Sequence, residues 1–317
     1  MLKSTKIVKR KTRRAGRRVD SFHKISDLVR RATGMDFRHY KPEVVSRQIR
    51  RRMALHHLDR SEAYVACLRE NPGELETLYL KIMGSPDLFS DREFFRTLKD
   101  KIFPEIIKRH AGNRPLRVWV PQCSTGEEAY SVAIAYIESI KVFGQVPIRI
   151  IATDSNANAI KRARAGIYSQ SIASQVTPER LRRFFAKKEG GYQIKDRIRR
   201  FCYFATQNLL TGSPRSRMDL CIFRSPLNRL VPTFRKKAIV ALDYSLTPTG
   251  LLLLSSAPAV RTITGLLKLK NKKHHIYSKI NMRKHQPAIA SSKAPGQSRG
   301  NLSPDHGPQA KARQSDA

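Results

Sequence analysis

Acidic residues are scarce in this 317-residue chain: 25 Asp and Glu stand against 62 Lys and Arg, a formal charge of +37. That deficit draws the chain to polyanions, whether nucleic acid, an anionic membrane or an acidic protein, without choosing among them. No basic stretch is interleaved with aromatics as in a nucleic-acid reader, so no specific nucleic-acid partner is expected. Cysteine is scarce as well. Cys67, Cys123, Cys202 and Cys221 are far apart and form no CxxC pair, which argues against a disulfide framework and a zinc site; no metal is expected, and a cytoplasmic location fits. The apolar runs, around residues 250–255 and 238–242, fall far short of the ~20 residues that cross a bilayer, so no transmembrane segment is expected. The basic N-terminus is not followed by the ~7–15 apolar residues of a secretory signal. GxGxxG is also missing, so a dinucleotide pyrophosphate has no glycine-lined approach.

What is present divides the chain. Residues 1–20 form a basic block, from Lys3 to Arg18, that reads as a solvated, disordered arm. Ser21 is placed to cap a helix with the apolar face Phe22, Ile25, Leu28, Val29 and Ala32, closed by Gly34. Three more helical runs follow, through Val44, Val45, Ile49 and Met53, then Tyr64, Ala66, Cys67 and Leu68, then Leu75, Leu78, Leu80 and Ile82, giving a helical domain over 21–84. From about 94 to 280 helices alternate with strands at 116–120, 146–152, 219–223, 251–254 and 275–277. Such alternation predicts a parallel α/β sheet covered by helices, with the final strand antiparallel to the rest. Residues 168–204 interrupt it with a Pro-capped helix, a Gly190-Gly191 turn and strand-like flanks at 192–194 and 201–204, read as an inserted helix-plus-hairpin element. Residues 281–317, rich in Ser, Pro, Gly, Gln and Lys, read as a disordered tail, and the chain as a monomer.

The run from Val118 to Glu128, VWVPQCSTGEE, is a strand entering a turn and then a helix. Open α/β sheets bind ligands at that place, the carboxyl ends of the strands. Glu127 puts an acid in the turn, suited to a cationic ligand, and Asp154 ends the next strand, where a carboxylate can accept both hydroxyls of a ribose. Together they suggest a positively charged nucleoside without phosphate, which describes S-adenosylmethionine (SAM). Each of the two has a structural alternative: Glu127 favours a helix N-terminus, and Asp154 can cap the next helix.

CSTGEEAYSVA at 123–133 strongly resembles the CSTGEEPYSLA signature of the CheR family of chemotaxis-receptor glutamate methyltransferases. ATG at 32–34, RVW at 117–119, IATDSN at 151–156, ARAGIY at 163–168, QNLL at 207–210 and HHIYSK at 274–279 extend the resemblance over roughly residues 22–279. It implies a Rossmann-like SAM-dependent methyltransferase sheet behind an all-helical domain. SAM contacts carry over to Glu127, Asp154, Asn208, Leu209 and Arg224, and to Ser225 where relatives have asparagine; Asn208 can equally bond within its own loop. The departures are specific. Against the family's NVTxFFRD, this chain places Gly84, Pro86 and Ser90 where asparagine, threonine and arginine are expected. Arg229 stands where the tyrosine beside the methyl-transfer site is expected, so no catalytic residue is assigned. LGSSE has become Leu254-Ser255-Ser256-Ala257. Lost hydrogen bonds at about 0.5–1.5 kcal/mol each weaken SAM binding by orders of magnitude unless compensated.

Methyl transfer to a carboxylate is a direct displacement that needs alignment and exclusion of water, so Cys123 reads as a packed residue and not a nucleophile. The resemblance implies transfer from SAM to glutamates on the cytoplasmic helices of a chemoreceptor, with impaired activity. Arg47, Arg50, Arg51 and Arg52 would face the acidic receptor, or equally form a solvated helix face. The alternative is a binding or regulatory module that keeps the fold and has weak catalysis.

Overall fold

The computed structural model describes residues 20–84, 91–110, 114–143, 146–255 and 265–280. The expected arm and tail lie outside those residues, apart from Asp20, as do the departures at Pro86, Ser90, Ser256 and Ala257.

Four helices open the described chain: α1 over 20–33, α2 (Pro42–Leu55), α3 (Ser61–Glu70) and α4 (Pro72–Met83). Ser21 lies inside α1 and not at its cap, because Asp20 is already helical. In α4 the Asn71 side chain accepts the Glu74 N–H, proline occupies the first turn where no donor is needed, and Gly84 ends the helix in the left-handed region at φ 72. Its buried stripe is Leu75, Leu78, Tyr79, Ile82 and Met83, so Tyr79 and Met83 join the face expected from spacing while Leu80 stays half-buried.

Glu74 locks this domain. Its side chain accepts from Arg52 Nε at 2.9 Å, from a second Arg52 nitrogen, and from Tyr64 Oη at 2.7 Å, with His56 Nε2 at 2.8 Å. Burial raises its pKa, but Arg52, Tyr64 and His56 together outweigh burial and hold the carboxyl down at about 2. Arg52 is therefore turned inward. Of the basic cluster expected on α2, only Arg47, Arg50 and Arg51 are exposed.

Beyond α4, helices α5 (Arg92–Thr97) and α6 (Phe103–Arg109) are joined by a π-helical stretch. The main sheet then builds from β1 (Leu116–Pro121), β2 (Ile148–Asp154), β6 (Cys202–Thr206), β7 (Met218–Phe223), β8 (Leu246–Leu254), β9 (Leu267–Asn271) and β10 (Ile276–Lys279), in the order β6-β2-β1-β7-β8-β10-β9. Pairing is parallel from β6 to β8, and β10 runs antiparallel to β8. Strand β9, antiparallel to β10, had no counterpart in the sequence reading. Helices α7 (Glu127–Phe143), α8 (Ala157–Ala165) and α11 (Pro232–Ser245) connect the strands.

The inserted element is smaller than expected. Its sheet is β3 (Ile167–Ser169), β5 (Gly191–Ile194) and β4 (Phe185–Lys188), with α9 (Pro178–Phe184) capped by Thr177 and α10 (Asp196–Arg199) following. The flank at 201–204 is not part of this hairpin: it is β6, the edge strand of the main sheet, paired in register from Ile150↔Cys202 to Asp154↔Thr206. A short apolar run carries no label for its partner, and proximity in sequence pointed to the wrong one.

Alternation along the strands divides the interior into two cores. Trp119, Ile151, Cys221, Phe223, Leu252, Leu254 and Tyr277 point to one face, where α11 packs and from which the core runs on through all four N-terminal helices. Val118, Val120, Ile150, Ala152, Leu220, Ile222 and Leu253 point to the other, against α5 to α7 and the insert. The helical domain thus shares a continuous core with the sheet. A short bridge sews the seam: Tyr40 pairs with Leu230, Lys41 N–H donates to Arg229 O at 2.8 Å, and Val231 N–H donates to His39 O at 3.0 Å.

Glu74→Ala leaves Arg52 without its carboxylate and is expected to cost about 3 kcal/mol of unfolding free energy near neutral pH. A depressed carboxyl stabilises above its unfolded value of 4.5 and loses that contribution as pH falls through about 2. The gap between wild type and variant in urea unfolding should therefore be flat above about pH 5 and close progressively in acid. A gap that ignored pH would show that packing, not charge, carries the effect.

Candidate functional site

Between β1 and α7 the signature turn adopts a conformation few side chains accept. Gln122 and Ser124 hold φ of 57 and 50, and Gly126 holds 93. A Cβ on Gly126 would sit 2.9 Å from the Cβ of Ala163 in α8, so only glycine fits. The turn is clamped from both sides. Cys123 N–H donates to Thr153 O at 3.0 Å, and Trp119 Nε1 donates to Thr153 Oγ1 at 3.0 Å. Tyr168 Oη, from the insert, donates to Thr125 O at 2.9 Å. Cys123 is fully buried and burial raises its thiol well above the usual range, the state of a packed residue.

Asp154 ends β2 beside this turn and is only 1% exposed. Its Oδ2 accepts Ser124 N–H at 2.9 Å, and its Oδ1 accepts Asn156 N–H at 2.8 Å and Tyr79 Oη at 2.9 Å. Burial outweighs these donors and moves its pKa up from the ordinary carboxylate value. Tyr79 comes from α4, so the helical domain touches the acid at the end of the strand.

Glu127 opens α7, and both its carboxylate oxygens lie within 2.7 Å of Thr125 Oγ1. Glu128, which sequence reasoning passed over, is 3% exposed; burial pushes its carboxyl up to about 7 against the pull of Arg224. Arg224, just past β7, lies over the rings of Phe94 and Phe95, 4.7 and 5.5 Å from their centroids, with Asp91 at 3.9 Å. Asn208 follows β6; its Nδ2 donates to Gly34 O at 3.0 Å and its Oδ1 accepts Leu210 N–H at 2.9 Å. Leu209 is buried beside it, and Ser225 is half-buried after Arg224. Arg229 extends toward the helical domain, where its Nη1 donates to Ile82 O at 2.6 Å. The expected residues therefore gather at the carboxyl ends of β1, β2, β6 and β7.

Among the described residues, three buried polar atoms in this neighbourhood have no hydrogen-bond partner: Ser124 Oγ, Glu128 Oε1 and Arg224 Nη1. The hydroxyl and carboxyl orphans, near the strand-end acid Asp154 and the helix-start acid Glu127, suit a ligand with polar donors and positive charge, and the Arg224 orphan suits a ligand carboxylate, so the residues fit SAM.

Two family models match the chain. The all-alpha domain of CheR methyltransferases matches residues 20–83, and the SAM binding domain of CheR methyltransferases matches residues 85–276. This chain belongs to the CheR methyltransferase family. It is 29% identical over 263 residues to an uncharacterized 104.1 kDa protein in the hypE 3′ region of Rhodobacter capsulatus, covering 82% of this chain and 28% of that protein. It is 33% identical over 181 residues to chemotaxis protein methyltransferase 1 of Vibrio cholerae, and 32% identical over 181 residues to the chemotaxis protein methyltransferase of Vibrio parahaemolyticus. Each of these two alignments covers 56% of this chain and 65% of the relative. SAM is the cofactor of the CheR domain present here, and among the described residues no helix is long and apolar enough to cross a membrane.

Glu128 titrates with the opposite sign to Glu74. A carboxyl raised above its unfolded value of 4.5 stabilises fully only below that value and loses the contribution as pH rises through about 7. Relative to Glu128→Gln, wild type should lose about 3 kcal/mol between roughly pH 4.5 and pH 8 in denaturant titrations. A constant difference would place Glu128 in an ionised, solvated state.

Proposed function

We propose that the chain transfers a methyl group from SAM to glutamate side chains on the cytoplasmic helices of a chemoreceptor, leaving a methyl ester and S-adenosylhomocysteine. The observation that carries this reading is the grouping of Glu127, Asp154 and the orphaned polar atoms at the signature turn of a CheR domain. The names of the Vibrio relatives support the chemotaxis setting. SAM supplies an electrophilic methyl carbon; a substrate carboxylate oxygen attacks it, the sulfur keeps the electron pair of the broken bond, and no proton need move. The chain's own task is to bind, align and exclude water. In this reading Asp154 takes the ribose, Glu127 the cationic side of the ligand, Asn208 and Leu209 the adenine, and Arg224 and Ser225 the side opposite the acids. Arg47, Arg50 and Arg51 offer α2 to an acidic helix surface. The free cysteines suit the cytoplasm, and the expected monomer would meet the receptor as a single copy.

Turnover is expected to be slow. Gly84 and Ser225 supply less than the asparagines expected there, and Arg229 is held by Ile82 O where an aromatic ring is expected to border the methyl. Asp154→Ala should abolish SAM binding in calorimetry, because the charge-assisted acceptor of the ribose is gone. Arg229→Tyr with Ser225→Asn should raise base-labile methyl ester formation on a chemoreceptor cytoplasmic fragment by about tenfold, the worth of one or two aligned hydrogen bonds. Tight SAM binding with no ester on any receptor fragment, in either protein, would defeat the substrate assignment. Fast turnover by wild type would instead defeat the reading of the departures.

A further inference from the structure

An ionised carboxylate accepts about four hydrogen bonds. At Asp154 three donors are bonded, the N–H groups of Ser124 and Asn156 and the hydroxyl of Tyr79, and the N–H of Ser155 also faces the group. The N–H donors belong to the turn and to the start of α8, and the β1–β2 ladder and the Asn156 cap fix them in place. A ribose diol needs two acceptor positions on the same carboxylate. The one donor that can leave is the Tyr79 hydroxyl, which reaches Asp154 from a different domain.

The helical domain also closes the approach. Gly34 packs so tightly on β2's end that a Cβ there would lie 2.9 Å from Ser155 O, and Asn208 bonds Gly34 O from the other side. Asp154 and Tyr79 are 1% and 0% exposed. Burial and the nearby Asp154 charge hold the Tyr79 phenol well above its usual pKa, so it remains a donor at any ordinary pH.

We infer that the Tyr79 hydroxyl occupies the position one ribose hydroxyl takes at Asp154, and that displacing it sets the affinity of this chain for adenosyl ligands. The inference rests on the reading of Asp154 as the ribose acceptor. Tyr79 is thus an affinity-determining residue that substitutes for the ligand when none is bound, and a ring without the hydroxyl would fill the same space in α4.

Tyr79→Phe tests it. The apo variant should melt at a lower temperature than wild type, because Asp154 loses a donor in a dry site. Its Kd for S-adenosylhomocysteine should nonetheless fall by about tenfold, since the ligand no longer breaks a charge-assisted bond to enter. The gain should vanish for an analogue lacking the 2′ and 3′ hydroxyls. Equal or weaker binding of S-adenosylhomocysteine by Tyr79→Phe would overturn the inference. Asp154→Asn distinguishes the two levels. If it binds S-adenosylhomocysteine as wild type does, the ribose assignment fails and the inference with it; if it does not bind while Tyr79→Phe gains nothing, the displacement alone is wrong.

Discussion

A carboxylate removed from water must be surrounded by donors, and Asp154, 1% exposed at the end of β2, imposes that requirement on everything near it. Ser124 aims its N–H at the acid, and it does so from the left-handed region, which explains a non-glycine φ of 50 in the signature turn. Gly126 then lets α7 start against α8 without a clash. Asn156 both bonds the acid through its backbone and caps α8 through its side chain, at 2.9 and 3.2 Å from the Asn158 and Ala159 nitrogens. The last donor, Tyr79, ties the helical domain to the same point. One buried charge thus couples the turn, two helix starts and the placement of a domain.

The placement of the helical domain follows from strand periodicity. Because side chains alternate, β1, β2, β7 and β8 feed two cores, and the one lined by Trp119, Phe223 and Leu254 is completed by α11 and the N-terminal helices together. The strand ends therefore meet α4 and the Gly34 turn directly, and a ligand there would lie between domains, where binding sites are commonly built. The insert contributes from the opposite side through Tyr168, whose hydroxyl bonds the Thr125 carbonyl. Arg229 performs in this chain a structural task, holding Ile82 O, that leaves the place of the expected aromatic to a cation.

Much of this was legible in the sequence because it depends on local pattern. The alternation of strand and helix, the acid at Glu127, the strand-end acid at Asp154 and the CSTGEE turn are all set within a few residues. What was not legible depends on partners far away in the chain. Residues 201–204 look like any short apolar flank, and only pairing with Ile150 to Asp154 makes them an edge strand. Tyr79 falls on an ordinary helical stripe between Leu75 and Met83, so periodicity files it with the core. Its hydroxyl gains a role only because the seam brings it to an acid 75 positions on. Arg52 looked like one of four surface cations until Glu74 drew it inward. Glu128 is adjacent to the expected acid, but a helix turns neighbouring residues to different sides, and the buried one is invisible without a fold.

Hydrogen–deuterium exchange of the full chain with and without S-adenosylhomocysteine tests the central claim most directly, because it maps the ligand and reports the helical domain at once. Protection is expected to rise at 122–128 and 153–156, the turn and the end of β2, while the last turn of α4 around Tyr79 exchanges faster as its bond to Asp154 breaks. Unchanged exchange at those strand ends under saturating ligand, or protection confined to another face of the sheet, would contradict the placement of the site.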